Sequence, residues 1–442
     1  MSNKLTAKEI VDLSKEYTFF SWSVQSQSSP IPVERAEGIY FWDADGKRYI
    51  DFSSQLMNTN IGHQHPKVVK AIQDQAGKLC FVHPGSTTDV RAMLGKKLSE
   101  VTPGNLKKTF FALGGSEANE NAIKIARFYT GRNKILARYR SYHGATHGSL
   151  ALTGDYRRLA VEPVMPGGVH FLDPFCYRCP FGQKKESCKR ECISHLEEVI
   201  KYEGPDKIAA IIMEGVVGSN GLIVPPDDYW PRVRELCDKY GILLISDEVM
   251  SGWGRTGKWF AVDNWDVTPD IITTAKGITS GYVPLGAVIV SDKIAEFFED
   301  KYLYAGLTYS GHALACAAAL ATIEVYEDEK LLENAVTVGK YLGECLEQLK
   351  DKHPSVGDVR YIGLFSTLEL VSNRESKELM PASVMGEVGK FLRANGLFTF
   401  IMANNMGSML FVVPPLCITK EQLDEGLAIV DKALEVADAA VK

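Results

Sequence analysis

The chain has 442 residues, 45% hydrophobic and 24% charged, a balance that excludes a disordered, collagen-like or coiled-coil protein. A formal net charge of −6 argues against nucleic acid or an anionic membrane as the main partner, and no apolar stretch reaches membrane-spanning length. The opening MSNKLTAKEIVDLSKEY lacks the apolar core of a secretory signal, so the nine cysteines are expected as reduced thiols in a cytoplasmic protein.

Apolar strands alternate with amphipathic helices, which predicts an α/β sheet covered on both faces. Residues 67–79 read as a helix, with Val68, Ile72, Ala76 and Leu79 at helical spacing. A short buried strand at 109–113 is broken by Gly114 and Gly115. The helix after it carries Ala118, Ala122, Ala126 and Tyr129 on one stripe, with Ser116 where an N-cap belongs. Residues 208–213 read as a strand, Val233, Leu236, Cys237 and Tyr240 mark a helix face, and 242–245 is a strand ending at Ser246, Asp247 and Glu248. After residue 325 or so the pattern changes to a long helix over 330–350, strands at 364–370 and 409–413, and a closing helix. The division expected is a large domain over 61–325 and a smaller α+β domain built from 1–60 and 326–442.

Three features fall at the carboxyl ends of predicted strands, where α/β sheets place ligands. Gly114, Gly115 and Ser116 open a helix; close backbone approach, unpaired N–H groups and a hydroxyl suit a phosphate, although a plain turn uses the same residues. Asp247 follows the apolar run ILLIS, and a carboxylate there needs a cation or several hydrogen bonds, a helix cap being the ordinary alternative. Lys276 sits among small residues between an apolar strand and a Gly-rich turn; most lysines are solvated, but desolvation in such a segment lowers the pKa and favours Schiff-base chemistry. Together they supply the contacts that pyridoxal 5′-phosphate (PLP) requires: phosphate anchor, pyridinium partner and aldehyde partner.

The ordered motifs GGSEANE (114–120), YHG (142–144), DEVMSGWGRTGKW (247–259), AKGITSGYVPLGA (275–287) and GLTYSGH (306–312) resemble the class III, or omega, aminotransferases of PLP fold type I. NIGHQHPKVVKAI (60–72) and PPLCIT (414–419) extend the likeness over essentially the whole chain. It implies a large, mostly parallel sheet domain, a small domain from both termini, and a homodimer with shared active sites. Carried over by motif, Lys276 and Asp247 are the catalytic residues: Lys276 bonds the cofactor and moves the substrate proton, and Asp247 keeps the pyridine nitrogen protonated. Tyr142 and Val249 flank the ring, Gly115 and Ser116 hold the phosphate, and Thr308 joins them from the partner. Glu214 reads as a supporting residue or a plain cap, and His143 as a structural hydrogen-bonder.

Departures from the family narrow the substrate. The position three before Pro414, where many members carry a carboxylate-binding Arg, is Phe411, and the gating Glu position five after Glu214 is Ser219. Losing both is self-consistent, since a Glu without its Arg is a costly buried charge. Trp22 and Arg157 are then the substrate-binding candidates, Arg158 being the alternative cation; an indole walls off a short chain and a guanidinium forks onto a sulfonate or carboxylate. Surface pairing of Arg157 with Asp155 or Glu162, and core packing of Trp22, are the competing readings. Trp22 with GDYRR (154–158) resembles the subgroup acting on taurine with 2-oxoglutarate, related to enzymes for β-alanine and 3-aminobutyryl-CoA. The expected reaction is ping-pong transfer from taurine to 2-oxoglutarate; pyruvate as acceptor, or a PLP-dependent racemase or aminomutase on the same scaffold, is the alternative. A silent binding protein is disfavoured by the presence of both Lys276 and Asp247. Cys176, Cys179, Cys188 and Cys192 have spacing that closes a zinc site, but the chemistry needs no metal, and none is expected.

Overall fold

The computed structural model describes residues 5–442, so the first four residues of the expected 1–60 segment lie outside the described residues. Three short strands come first: β1 (Val33–Glu37), β2 (Tyr40–Asp43) and β3 (Arg48–Asp51), antiparallel to one another. Seven more build the central sheet: β4 (Leu106–Ala112), β5 (Lys134–Arg138), β6 (Gly168–Phe171), β7 (Ile208–Glu214), β8 (Leu243–Asp247), β9 (Ile271–Thr274) and β10 (Gly286–Ser291). Their order is β4-β10-β9-β8-β7-β5-β6. β10 runs against both neighbours and the other pairs are parallel. Every residue of β7, β8 and β9 is buried, as continuous apolar runs require when helices cover both faces of a parallel sheet.

The last six strands are β11 (Val356–Ile362), β12 (Phe365–Asn373), β13 (Glu378–Leu379), β14 (Leu397–Phe398), β15 (Ile401–Asn404) and β16 (Gly407–Val412). A sheet of order β11-β12-β16-β15 carries β13 on β12, while β14 pairs in parallel with β3, Leu397 opposite Ile50. Residues from the two ends of the chain therefore share one sheet. Arg255, fully buried, ties this region to the central sheet: Nη1 donates to the carbonyls of Leu364 and Pro414, and Nη2 to Ser54 Oγ (3.1 Å) and Asn60 Oδ1 (2.7 Å).

The helix expected over 67–79 is Pro66–Lys78, with Pro66 at its first position, where a missing N–H is harmless. The one expected over 330–350 is Leu331–Lys352, and the closing helix is Lys420–Asp438. The cap expected at Ser116 is instead Gly114. The helix Gly115–Thr130 begins one residue after it and ends on Gly131 in the left-handed region. β10 passes close to this turn, and it is Gly286 that the approach requires: a Cβ there would lie 2.6 Å from the Gly114 carbonyl oxygen.

Candidate active site

Parallel pairing sets Glu214 opposite Asp247, and Asp247 opposite Thr273, in one row at the carboxyl edge of the sheet. Lys276 follows β9 two residues beyond, in a 3₁₀ turn, with φ of +48°. The helix Gly115–Thr130 starts from the same edge after β4. The strand ends thus bring the three predicted features together, as the fold class does generally.

Asp247 is buried, and its Oδ2 accepts from His143 Nδ1 (2.7 Å) and Asn119 Nδ2 (2.8 Å), its Oδ1 from the Val249 N–H (3.1 Å). Asn119 also donates to the His143 carbonyl (2.7 Å) and accepts from the Thr273 hydroxyl (2.6 Å), so it ties three segments to one carboxylate. Glu214 closes the next layer, accepting from the Tyr142 N–H (3.1 Å) and the Gly218 N–H (2.7 Å); burial pushes its carboxyl up. Asn119 and Thr273 were not singled out from sequence. Asn119 lies four residues after Gly115, on the same helix face, which is the signal that was present.

Lys276 Nζ has no hydrogen-bond partner among the described residues. Burial brings its pKa down from 10.5 to about 8, against the opposing pull of the Asp247 and Glu214 carboxylates and with a further push from Arg157. Gly115 lies against Val249: a Cβ there would be 2.9 Å from Val249 Cγ1. Ser116 Oγ accepts from the Ala145 N–H (3.0 Å) at the start of the helix.

Arg157, Tyr142 and Trp22 form a second cluster beside the first. The guanidinium carbon is 4.0 Å from the Tyr142 ring centre and 5.6 Å from that of Trp22, and the two rings meet edge to face at 6.3 Å. Trp22 is 59% exposed, which leaves the core-packing alternative without support. Arg157 pairs with buried Asp155 through Nε and Nη2, as one competing reading anticipated, and Nη2 also reaches Ser219 Oγ (3.1 Å) and Asn220 Oδ1 (3.5 Å). Its bidentate fork is therefore occupied, and Nη1 is the nitrogen without a protein partner among the described residues. Arg158 pairs with Glu162. Phe411 is buried in β16 against Phe400. Thr308 lies exposed in a turn, and no hydrogen bond or ring contact joins it to either cluster.

The donor set fits a flat, phosphorylated aldehyde cofactor. Among the described residues Lys276 is an unpaired amine in a desolvated place, Asp247 is a buried carboxylate, the Gly115 cradle is closed by Val249, and His143 Nε2 is buried without a partner. The four clustered cysteines line a cavity of about 20 Å³ with Asp173 and Glu191; among the described residues no group of three or more His, Cys, Asp or Glu side chains is arranged to hold a metal.

The family model for class III aminotransferases matches residues 21–434. A solved taurine:2-oxoglutarate aminotransferase from Bifidobacterium kashiwanohense, in complex with PLP and glutamate, is 45% identical with a TM-score of 0.94, covering 99% of both chains. A leucine/methionine racemase from Thermococcus litoralis is 39% identical over 94% of each chain. A taurine–pyruvate aminotransferase from Bilophila wadsworthia is 36% identical over 97% of this chain and 98% of its own. With its mixed, mostly parallel sheet of PLP fold type I, the chain belongs to the class III aminotransferases, transferases of nitrogenous groups.

Proposed function

We propose that this aminotransferase uses PLP and moves the amino group of a short ω-amino acid with an anionic end, taurine first, to 2-oxoglutarate, giving sulfoacetaldehyde and glutamate. The observation that carries the reading is the Arg157 guanidinium, held between Tyr142, Trp22, Ser219 and Asn220 beside Lys276, with Nη1 left over for an anion. The likeness to enzymes named for taurine supports it. Serine rather than glutamate at 219 leaves Arg157 with a single carboxylate neighbour, so its charge is not cancelled twice.

PLP, when bound, supplies an electron sink for negative charge at the carbon that carries the amine. Lys276 would hold its aldehyde and, once the substrate amine has displaced it there, its freed Nζ would accept and return the proton at the substrate carbon, a task suited to an amine whose pKa lies at about 8. Asp247, oriented by His143 and Asn119, would hold a proton on the ring nitrogen. Tyr142 and Val249 would bound the ring faces, and Gly115 and Ser116 would hold the phosphate at the helix start. Thr308 reaching the phosphate across a homodimer belongs to the same reading; its exposed turn is compatible with a partner.

Replacing Arg157 by Ala tests the assignment. KM for both the amine and the 2-oxo acid should rise while the visible cofactor band stays intact; an unchanged KM overturns it. The 39% identical racemase favours a second reading, racemisation of an α-amino acid. Turnover without any added 2-oxo acid would favour that one.

A further inference from the structure

The turn that carries Ser219 and Asn220 is anchored from outside the central sheet. After β7 the chain makes a tight loop over 215–224, closed by a bridge between Val217 and Ile223. Within it the Gly221 and Leu222 N–H groups both bond the Gly218 carbonyl, and Leu222 adopts a left-handed φ of +47° that a branched residue keeps only under restraint. The restraint comes from Arg360, on β11 of the other sheet. Its Nε donates to the carbonyls of Gly221 (2.9 Å) and Leu222 (3.2 Å), and Nη2 to Gly221 again (2.7 Å). Nη1 is taken by Asp358 (2.6 Å) and Glu369 (2.8 Å), and Glu369 is shared with the Arg178 guanidinium, so two carboxylates serve two cations at this half-buried junction. The guanidinium also lies 4.9 Å from the Phe175 ring, which Arg140 approaches at 4.7 Å. Arg140 in turn donates to the Asn220 carbonyl, and Asn220 Nδ2 bonds the Ser141 carbonyl (2.9 Å) next to Tyr142.

We infer that Arg360 is a specificity-setting positioning residue: it fixes the 217–223 turn so that Ser219 and Asn220 hold Arg157 in the orientation that receives the anionic end of substrate. The inference rests on the reading of Arg157 as the anion-binding residue. The physical argument is geometric. The fork onto Asp155 sets the plane of the Arg157 guanidinium, and the two contacts from the turn, at 3.1 and 3.5 Å, hold its Nη2 edge from the other side. Those contacts move with Gly221 and Leu222, whose carbonyls are held by one planar side chain that a lysine cannot imitate, because a single ammonium does not span two carbonyls and two carboxylates at fixed angles. The arrangement also joins the sheet containing β11 to the substrate site, so a shift of one against the other reaches Arg157 directly.

Arg360→Lys in the holoenzyme keeps a cation beside Asp358 and Glu369 and removes the fork. Two unreactive anions, ethanesulfonate and glutarate, are titrated calorimetrically, and the rate at which hydroxylamine, a neutral nucleophile that needs no Arg157, abolishes the cofactor band is followed in parallel. The expected result is a Kd for both anions about 10-fold higher, the scale of one lost charge-assisted hydrogen bond, with the hydroxylamine rate within about 2-fold of the parent. Ser219→Ala, which leaves Arg360 and its two carboxylates untouched, should raise the same Kd values in the same direction, so the inference stays open to refutation even if Arg360→Lys fails to fold. Unchanged Kd values in Arg360→Lys or in Ser219→Ala, or a hydroxylamine rate that shifts as much as Kd, overturn the inference alone, provided Arg157→Ala weakens anion binding. Unchanged binding in Arg157→Ala overturns the underlying reading as well.

Discussion

Lys276 offers a quantitative test of the site that needs no substrate. With burial lowering its pKa from 10.5 to about 8, the neutral amine makes up about a quarter of the population at pH 7.5, against about one part in a thousand for a solvated lysine, a gain of about 200-fold in reactive form. The perturbation to apply is pH, on cofactor-free protein, with a brief pulse of acetic anhydride and quantification of acetyl-Lys276 by mass spectrometry. The labelling midpoint should fall near 8. Asp247→Asn should lower it further, since that carboxylate stabilises the ammonium, and Arg157→Ala should raise it, since that cation opposes it. The sign for stability follows. Below about pH 8 the lysine is charged whether folded or not, and burial costs the folded state about 3 kcal/mol; the cost disappears as pH rises from there through 10.5. A midpoint above 10 would refute the reasoning, because it would mean the ammonium is solvated and the site is not built for this lysine.

Gly115→Ala should weaken cofactor binding about 10-fold, because its Cβ would sit 2.9 Å from Val249 Cγ1 and displace a wall of the cradle; titration of the visible band reads it, and an unchanged Kd counts against the placement. Asn119→Ala removes the donor to Asp247 and strands the Thr273 hydroxyl and the His143 carbonyl, so urea unfolding should show a loss of about 3 kcal/mol. Glu248, buried with bonds from Ser246, Ser251, Ala261 and Val262, has its pKa raised from 4.5 to about 7 by burial. Its stabilising share is complete below pH 4.5 and lost as pH rises through about 7, so Glu248→Gln should flatten that limb of the pH–stability curve.

The parts legible in the sequence are those whose signal is local. Lys276, Asp247 and the Gly114–Gly115 turn announce themselves because each breaks an apolar run where a parallel strand ends, and the sheet then has one edge on which to gather them. Asn119 was harder, since what makes it matter is a carboxylate 128 positions away, and an asparagine on a helix carries no mark of that. The absence of the family's usual Arg at Phe411 pointed to Arg157, and its pairing with Asp155, two residues away, was legible too; that the pair is buried and bidentate was not, because it depends on the turn Asp155 caps. The clasp of Arg360 on Gly221 joins positions 139 apart across two sheets, and neither end breaks a local pattern. The short parallel pairing of β14 with β3 was missed for the same reason: two residues of strand make no periodicity.

Transfer of an amino group from a short anionic amine to a 2-oxo acid has two halves, and they separate in one cuvette. Purified holoenzyme is mixed in turn with taurine, β-alanine and 3-aminobutyrate, without any 2-oxo acid, and the visible cofactor band is followed. Taurine should discharge the band rapidly, and 2-oxoglutarate, not pyruvate, should restore it. A band that survives all three amines contradicts such transfer.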